Sequence, residues 1–339
     1  EDVGGSGPFK RTEYKNGEHV ILERFDDFFS EGRPDLDRIV MRIMRDSSAR
    51  AIAYENGELD FGAFESEPLI INRLTKVDHL TVTSAGYGAI GALDWRAMNT
   101  TKGPLKDKRV RQAIAYAIDK NFIQNALMQG TSADSNTGIH PDSPFYNAGV
   151  NSYAEDLDKA NALLDEAGYA MNGGERFALT IDFGWPSAKP HVEYVKAALK
   201  KVGINVEVRA SADFPTWAKR MGTMDFDLSW DAVFNWGDPS IGVHRTYLTS
   251  NIAKGVWSNT QGYSNARVDE ILDQAGKEND PEKRKALYME FQQIVNDEMP
   301  IYYVQTLPYH TVYSDKVMNA PVNGIWATSS PLDQVWLKE

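Results

Sequence analysis

The chain contains no cysteine. That absence removes disulfides, thiolate nucleophiles and zinc–thiolate sites together, and it fits either redox compartment. No run of about 18 apolar residues is present, so no transmembrane helix is expected. No signal peptide opens the chain. There is no H-E-x-x-H pair, no G-x-S-x-G elbow, no phosphate-binding loop and no G-x-G-x-x-G turn. The histidines, His19, His79, His140, His191, His244 and His310, are scattered, and no His/carboxylate cluster stands out. Binding of a bare metal ion is therefore not expected, and no cofactor is implied. Basic residues are the minority: 36 Lys+Arg against 48 Asp+Glu give a net charge of −12. Such a chain gains nothing overall from a phosphate backbone, so nucleic acid is excluded as a partner.

What remains is an ordinary globular composition, with 42% hydrophobic and 25% charged residues in 339. The length suits two or three domains. Residues 9–25 read as a hairpin, with Asn16-Gly17 as a type I′ turn. A strand at 38–46, a helix at 47–57 capped by Asp46 or Ser47, and a strand at 59–64 make a β–α–β pattern. The stretch 104-PLKDKRVRQAIAYAIDK-120 places Val110, Ala113, Ile114, Ala117 and Ile118 on one helical face. Its cations are expected off that face, solvated or paired within the protein. Residues 130–153 form a long loop. Helices at 156–169, 190–203, 213–221, 265–276 and 281–298 alternate with strands at 176–184, 204–210, 225–233 and 300–305. Asp280 and Pro281 start the last helix. An irregular aromatic tail follows. The expected class is α/β.

Chemistry-bearing residues are sparse. Asp225 and Asp227 alternate on the expected 225–233 strand, with Asp231 and Asp238 beyond them. Paired carboxylates can hydrolyse glycosides, which gives the enzymatic alternative: a carbohydrate-active hydrolase using two of Asp225, Asp227 and Asp231. Solvated strand faces and loop caps explain the same residues more simply. The segment 230-WDAVFNWGDPS-240 is richer. It sets Trp230, Phe234 and Trp236 beside Asp231, Asn235 and Asp238 after a strand, where loops carry function. Trp185, and Trp95 with Arg96 in 94-DWRAMN-99, are further candidate walls.

Several segments together resemble the family 5 extracellular solute-binding proteins, the oligopeptide, dipeptide and nickel receptors of ABC importers. They are 6-SGPFKRTEYKNGEHVILERFDDFF-29, 37-DRIVMRIMRDSSARAIAYENGELDFG-62, 97-AMNTTKGPLKDKRVRQAIAYAIDK-120, 158-DKANALLDEAGY-169 and 261-QGYSNARVDEILDQA-275. The resemblance implies a two-lobed α/β periplasmic binding protein of class II type with hinge strands. The N-terminal part of that fold is missing, so the chain reads as the C-terminal two-thirds of a receptor. Lobe one would be 1–96 with a return at 306–339, and lobe two 97–305, with crossovers near Arg96–Asn99 and Tyr302–Gln305. The ligand would bind between the lobes.

The implied function is a non-enzymatic, monomeric periplasmic receptor. It would deliver a small ligand to a membrane ABC permease. The expected ligand-binding residues are Trp95, Arg96, Asn99, Trp185, Trp230, Asp231, Asn235, Trp236, Asp238 and Tyr303. Two positions depart from the peptide-binding pattern. Asn235 stands where those members hold the peptide amine with Asp, and Trp185 stands near the place of an Arg that holds the carboxylate. Asp231 could substitute for the former. The tryptophans suit a sugar ring or another flat ligand, so peptide, oligosaccharide and opine-like ligands remain open.

Overall fold

The computed structural model describes residues 4–322, 330 and 332–338. The chain divides into two compact units, residues 1–87 with 308–339 and residues 88–307. The divisions fall ahead of Trp95 and after Gln305, so both segments expected to be crossovers lie inside the second unit.

The first unit opens with an antiparallel sheet of β1 (Phe9–Lys15), β2 (His19–Arg24) and β3 (Arg38–Arg42) in that order. The β1–β2 turn is not type I′, because only Gly17 takes a positive φ (76°). With the Glu18 amide donating to the Lys15 carbonyl at 3.0 Å, that is the pattern of a type II turn. Asp46 caps the Ser47–Glu55 helix by accepting from the Ala49 amide. A second sheet sets β4 (Phe61–Glu65) and β5 (Leu80–Thr83) on either side of strand His310–Ser314. The tail is therefore not irregular at that point. It supplies the central strand of a sheet, and Val312 packs there with Tyr54 and Leu74.

The second unit is built on a five-stranded sheet of β6 (Ala92–Met98), β7 (Phe177–Phe183), β8 (Ile204–Ala210), β9 (Leu228–Phe234) and β10 (Ile301–Thr306), in order β10-β6-β9-β7-β8. β7 runs parallel to β8 and β9, while β6 is antiparallel to β9 and β10. The Lys189–Lys200 helix makes the β7–β8 crossover. Every residue of β6 is buried, so both faces of the sheet are covered. On one face lie Val110, Ile114, Leu164, Val192, Val195 and Leu199 from three helices. On the other lie Trp217, Val268, Leu272, Tyr288 and Phe291. Each such side chain contributes about 1.5–3 kcal/mol on burial.

In the basic stretch, Asp107 caps the Lys108–Tyr116 helix, and Val110, Ala113, Ile114, Ala117 and Ile118 are fully buried. Lys108 pairs with Asp297 and Arg109 with Asp107. Arg111 and Lys120 are buried, and so fall on the paired side of that expectation; Lys120 lies 3.6 Å from Asp134. Arg111 donates to the carbonyls of Leu105, Lys106, Glu298 and Met299. Lys120 donates to the Ser135 carbonyl at 2.9 Å and to Asn136 at 2.7 Å, which pins the 130–153 loop.

Candidate functional site

Strand register decides which of the singled-out residues can act together. β9 sets Asp231 opposite Trp95 and Trp230 opposite Arg96. β10 sets Tyr303 opposite Trp95 and Tyr302 opposite Arg96. Side chains alternate across a sheet. Trp95, Asp231 and Tyr303 therefore share one face, and Arg96, Trp230 and Tyr302 the other. The candidates are split between two environments.

On the first face, Tyr303 accepts a hydrogen bond from Tyr247 at 3.2 Å, and its ring meets Trp95 edge-on at 6.0 Å. Asp231 accepts from the Ala232 amide at 2.7 Å and the Trp257 indole at 3.3 Å. Burial pushes its carboxyl up to about 8, against the pull of these donors and of Arg245. The folded protein thus holds a proton that the unfolded chain releases near pH 4. The stability tied to that proton is complete below pH 4 and is lost as pH rises through 8. Asp231→Asn keeps the acceptor and removes the titration. It should match the wild type near pH 4 and melt about 5 °C or more above it at pH 8. Parallel melting curves across pH 4–8 would show that Asp231 does not titrate this way.

On the second face, Arg96 donates to Asp94 and, at 3.1 Å, to the Trp95 carbonyl. Its guanidinium carbon stands 5.9 Å from the Trp230 ring centre. Gln305 donates to Asp94 at 3.3 Å. A bulge between Tyr303 and Gln305 turns Gln305 towards Asp94; bulges commonly re-aim side chains beside functional sites. The His191 ring lies 6.2 Å from Trp230. Burial, with Arg96 adding to it and Asp94 opposing, takes His191 down to about 4, so it is neutral at pH 7. Lys120 stands 5.0 Å over the Tyr302 ring. Trp185 meets Trp230 at 5.9 Å and Trp217 at 4.7 Å, and so borders both apolar clusters.

The remaining candidates lie at strand ends. Asn99 donates to the Met224 and Phe226 carbonyls and accepts from Thr101. Asn235 ties the 138–140 segment, donating to the Gly138 carbonyl and accepting from the His140 amide. Asp238 caps the Pro239–Tyr247 helix and takes both Arg284 donors, at 2.6 and 2.7 Å. Burial opposes its charge, but Arg284 and Ser240 outweigh burial and hold the carboxyl at about 2. Trp236 sits at φ 52° and stays 39% exposed. Sequence reasoning passed over Asp94, His191, Tyr302 and Gln305. Period-two parity around Arg96 would have found Asp94 and, across the ladder, Tyr302.

The strand expected to carry the acid pair begins later than expected. β9 begins at Leu228, so Asp225 and Asp227 lie outside the strand. Asp227 is held by Thr180 and Lys102, and Asp225 lies 3.9 Å from Arg209. Among the described residues no group of three or more His, Asp or Glu could hold a metal ion. No described helix is long and apolar enough to cross a membrane.

The profile of the bacterial extracellular solute-binding proteins, family 5 Middle, matches residues 1–255. The chain is 28% identical over 302 residues to heme-binding protein A of Haemophilus influenzae, covering 87% of this chain and 53% of that protein. It is 27% identical over 306 residues to the glutathione-binding protein GsiB of Escherichia coli strain K12, covering 87% and 57%. It thus spans little more than half the length of these relatives. Among solved structures it resembles the periplasmic binding protein DppA of Helicobacter pylori in complex with the peptide STSA (TM-score 0.83, 24% identity, 99% of this chain and 63% of that one). It also resembles NikA of Brucella suis in complex with Fe(III)-EDTA (TM-score 0.83, 25% identity, 98% and 68%). With three-quarters of its length inside the family profile and this α/β architecture, the chain belongs to the family 5 extracellular solute-binding proteins.

Proposed function

We propose that this chain is the larger part of a periplasmic receptor. It captures a small organic ligand and hands it to the permease of an ABC importer, acting as a monomer and without turnover. The observation that carries this reading is the convergence of Trp185, Trp230, Arg96, His191 and Tyr302 in the second unit, in a member of a solute-binding family. Aromatic faces with a few directional polar groups are what a small-molecule site requires. The relatives are named for heme and glutathione, and the similar structures hold a peptide and a metal chelate. That range supports an organic ligand, with peptide-like, oligosaccharide-like and opine-like compounds all in scope. Delivery to a permease requires a bound form that the membrane partner distinguishes from the free one.

The test is a thermal-shift screen against peptides, oligosaccharides, opines and metal chelates. A true ligand at a hundredfold excess over its dissociation constant should stabilise the fold by about 2.7 kcal/mol. Trp185→Ala and Trp236→Ala should each weaken that ligand about tenfold, the scale of a lost aromatic contact. Unchanged affinity in both variants would remove these two residues from the site. Turnover of a glycoside or peptide would overturn the receptor reading itself.

A further inference from the structure

On the Arg96 face, several buried polar atoms find no hydrogen-bond partner among the described residues. They are Arg96 Nε and Nη2, Trp230 Nε1, Tyr302 Oη and His191 Nδ1. The side chains come from β6, β9, β10 and the Lys189–Lys200 helix, and are 2%, 9%, 1% and 7% exposed respectively for Arg96, Trp230, Tyr302 and His191. A buried donor left unmade is costly, so a group of them in one place points to something that they bind. Their chemistry is one-sided. The two Arg96 atoms and the Trp230 indole can only donate, and the Tyr302 hydroxyl can donate as well. Arg96 Nη1 is already committed to Asp94 and the Trp95 carbonyl. The free Nε and Nη2 are the two N–H groups along one edge of the guanidinium, a fork whose spacing matches the two oxygens of a carboxylate.

A counter-charge for an ammonium group is missing from the same candidates. Asp94 is taken by Arg96 and Gln305. Asp238 is taken by Arg284. Asn235 is neutral and spent on the 138–140 segment. Asp231 points to the opposite face of the sheet.

We propose that Arg96, Trp230, Tyr302 and His191 form a carboxylate-binding subsite, and that the ligand is an organic acid whose amine is blocked or absent. The proposal rests on the receptor reading and names the ligand class that reading leaves open. Arg96 Nε and Nη2 grip the carboxylate side-on, Trp230 and Tyr302 donate to its remaining lone pairs, and Asp94 with Gln305 fixes the guanidinium from behind. His191 closes the group as a neutral ring.

The test is calorimetry on the full chain with four probes: N-acetyl-dialanine, its C-terminal amide, zwitterionic dialanine and maltotriose. The acetylated acid should bind at least tenfold tighter than its amide and than dialanine. Tyr302→Phe deletes one donor while keeping the ring, and should weaken the acid about tenfold with little effect on the amide. Trp230→Phe deletes the indole donor together with part of a buried ring, so it is read through the ratio of acid to amide affinity, which should fall about tenfold. Arg96→Lys, which keeps a charge facing Asp94 but loses the fork, should abolish the preference for acid over amide. Equal binding of acid and amide, tighter binding of maltotriose, or an unchanged ratio of acid to amide affinity in both Phe variants would overturn the carboxylate subsite and leave the receptor standing. Absence of binding by all four probes would also overturn the carboxylate subsite, while the receptor reading is tested by the wider thermal-shift screen.

Discussion

Arg111→Met should destabilise the second unit by about 3–5 kcal/mol, measured by urea denaturation. The guanidinium is buried and donates to four main-chain carbonyls, those of Leu105, Lys106, Glu298 and Met299. The last two lie at the end of the Pro281–Glu298 helix, whose terminal carbonyls have no partner within the helix. Methionine fills the volume but leaves those acceptors dry, each at a cost of about 1–3 kcal/mol less whatever water recovers. Arg111→Lys should recover only part, because one ammonium cannot span four acceptors arranged around a planar fork. Lys108→Met is the control. Its exposed pair with Asp297 should be worth no more than about 0.5 kcal/mol. A loss below about 1 kcal/mol for Arg111→Met would mean that the helix end is satisfied by other means.

The second large effect is expected at Asp238. Asp238→Ala removes the cap of the Pro239–Tyr247 helix and the two-point partner of Arg284. The cap alone is worth about 1 kcal/mol, and the stranded Arg284 brings the total to about 2–3 kcal/mol at pH 7. Arg284 also lies over the Phe145 and Tyr288 rings, at 5.1 and 5.4 Å, so its release loosens their packing. The dependence on pH has the opposite sign to that of Asp231. Here the folded state holds the carboxyl at about 2, below its unfolded value. Its contribution is full above about pH 4 and disappears as pH falls towards 2. The gap between wild type and Asp238→Ala should therefore close on acidification. A gap constant from pH 7 to pH 2.5 would place the effect in packing alone.

Elements with a clean period or a cap were legible from the sequence. Asp46 and Asp280 each cap the helix expected of them. Buried strands were harder. β6 alternates apolar and polar residues over Leu93–Ala97, but its polar side faces an apolar cluster rather than solvent, so the alternation does not mark a half-exposed strand. The strand His310–Ser314 was hidden for another reason: its partners are about 230 to 250 residues earlier in the chain. The named site residues were found as residue types, but not as a group. Proximity along 230–240 suggested a single wall, whereas the ladder separates Trp230 from Asp231 and spends Asn235 and Asp238 on main-chain and ion-pair work. How deeply two of the cations are buried was not legible. Charge along a helix says nothing about which carbonyls a long side chain can reach, and Arg111 and Lys120 reach inward.

The alternation along the central ladder has a practical side for anyone engineering this chain. Positions 94, 96, 230, 232 and 302 share one face, and their immediate neighbours 95, 231 and 303 share the other. A library randomised at the first set keeps the other face of the ladder intact, but all five positions are buried and Asp94 pairs with Arg96, so its members need a folding screen beside the binding one. Randomising contiguous codons across 94–96 or 230–232 would instead spend most of its diversity on unfolded members. A single inserted residue in β6 would exchange the two faces downstream of it, and so would be far more damaging than any substitution there.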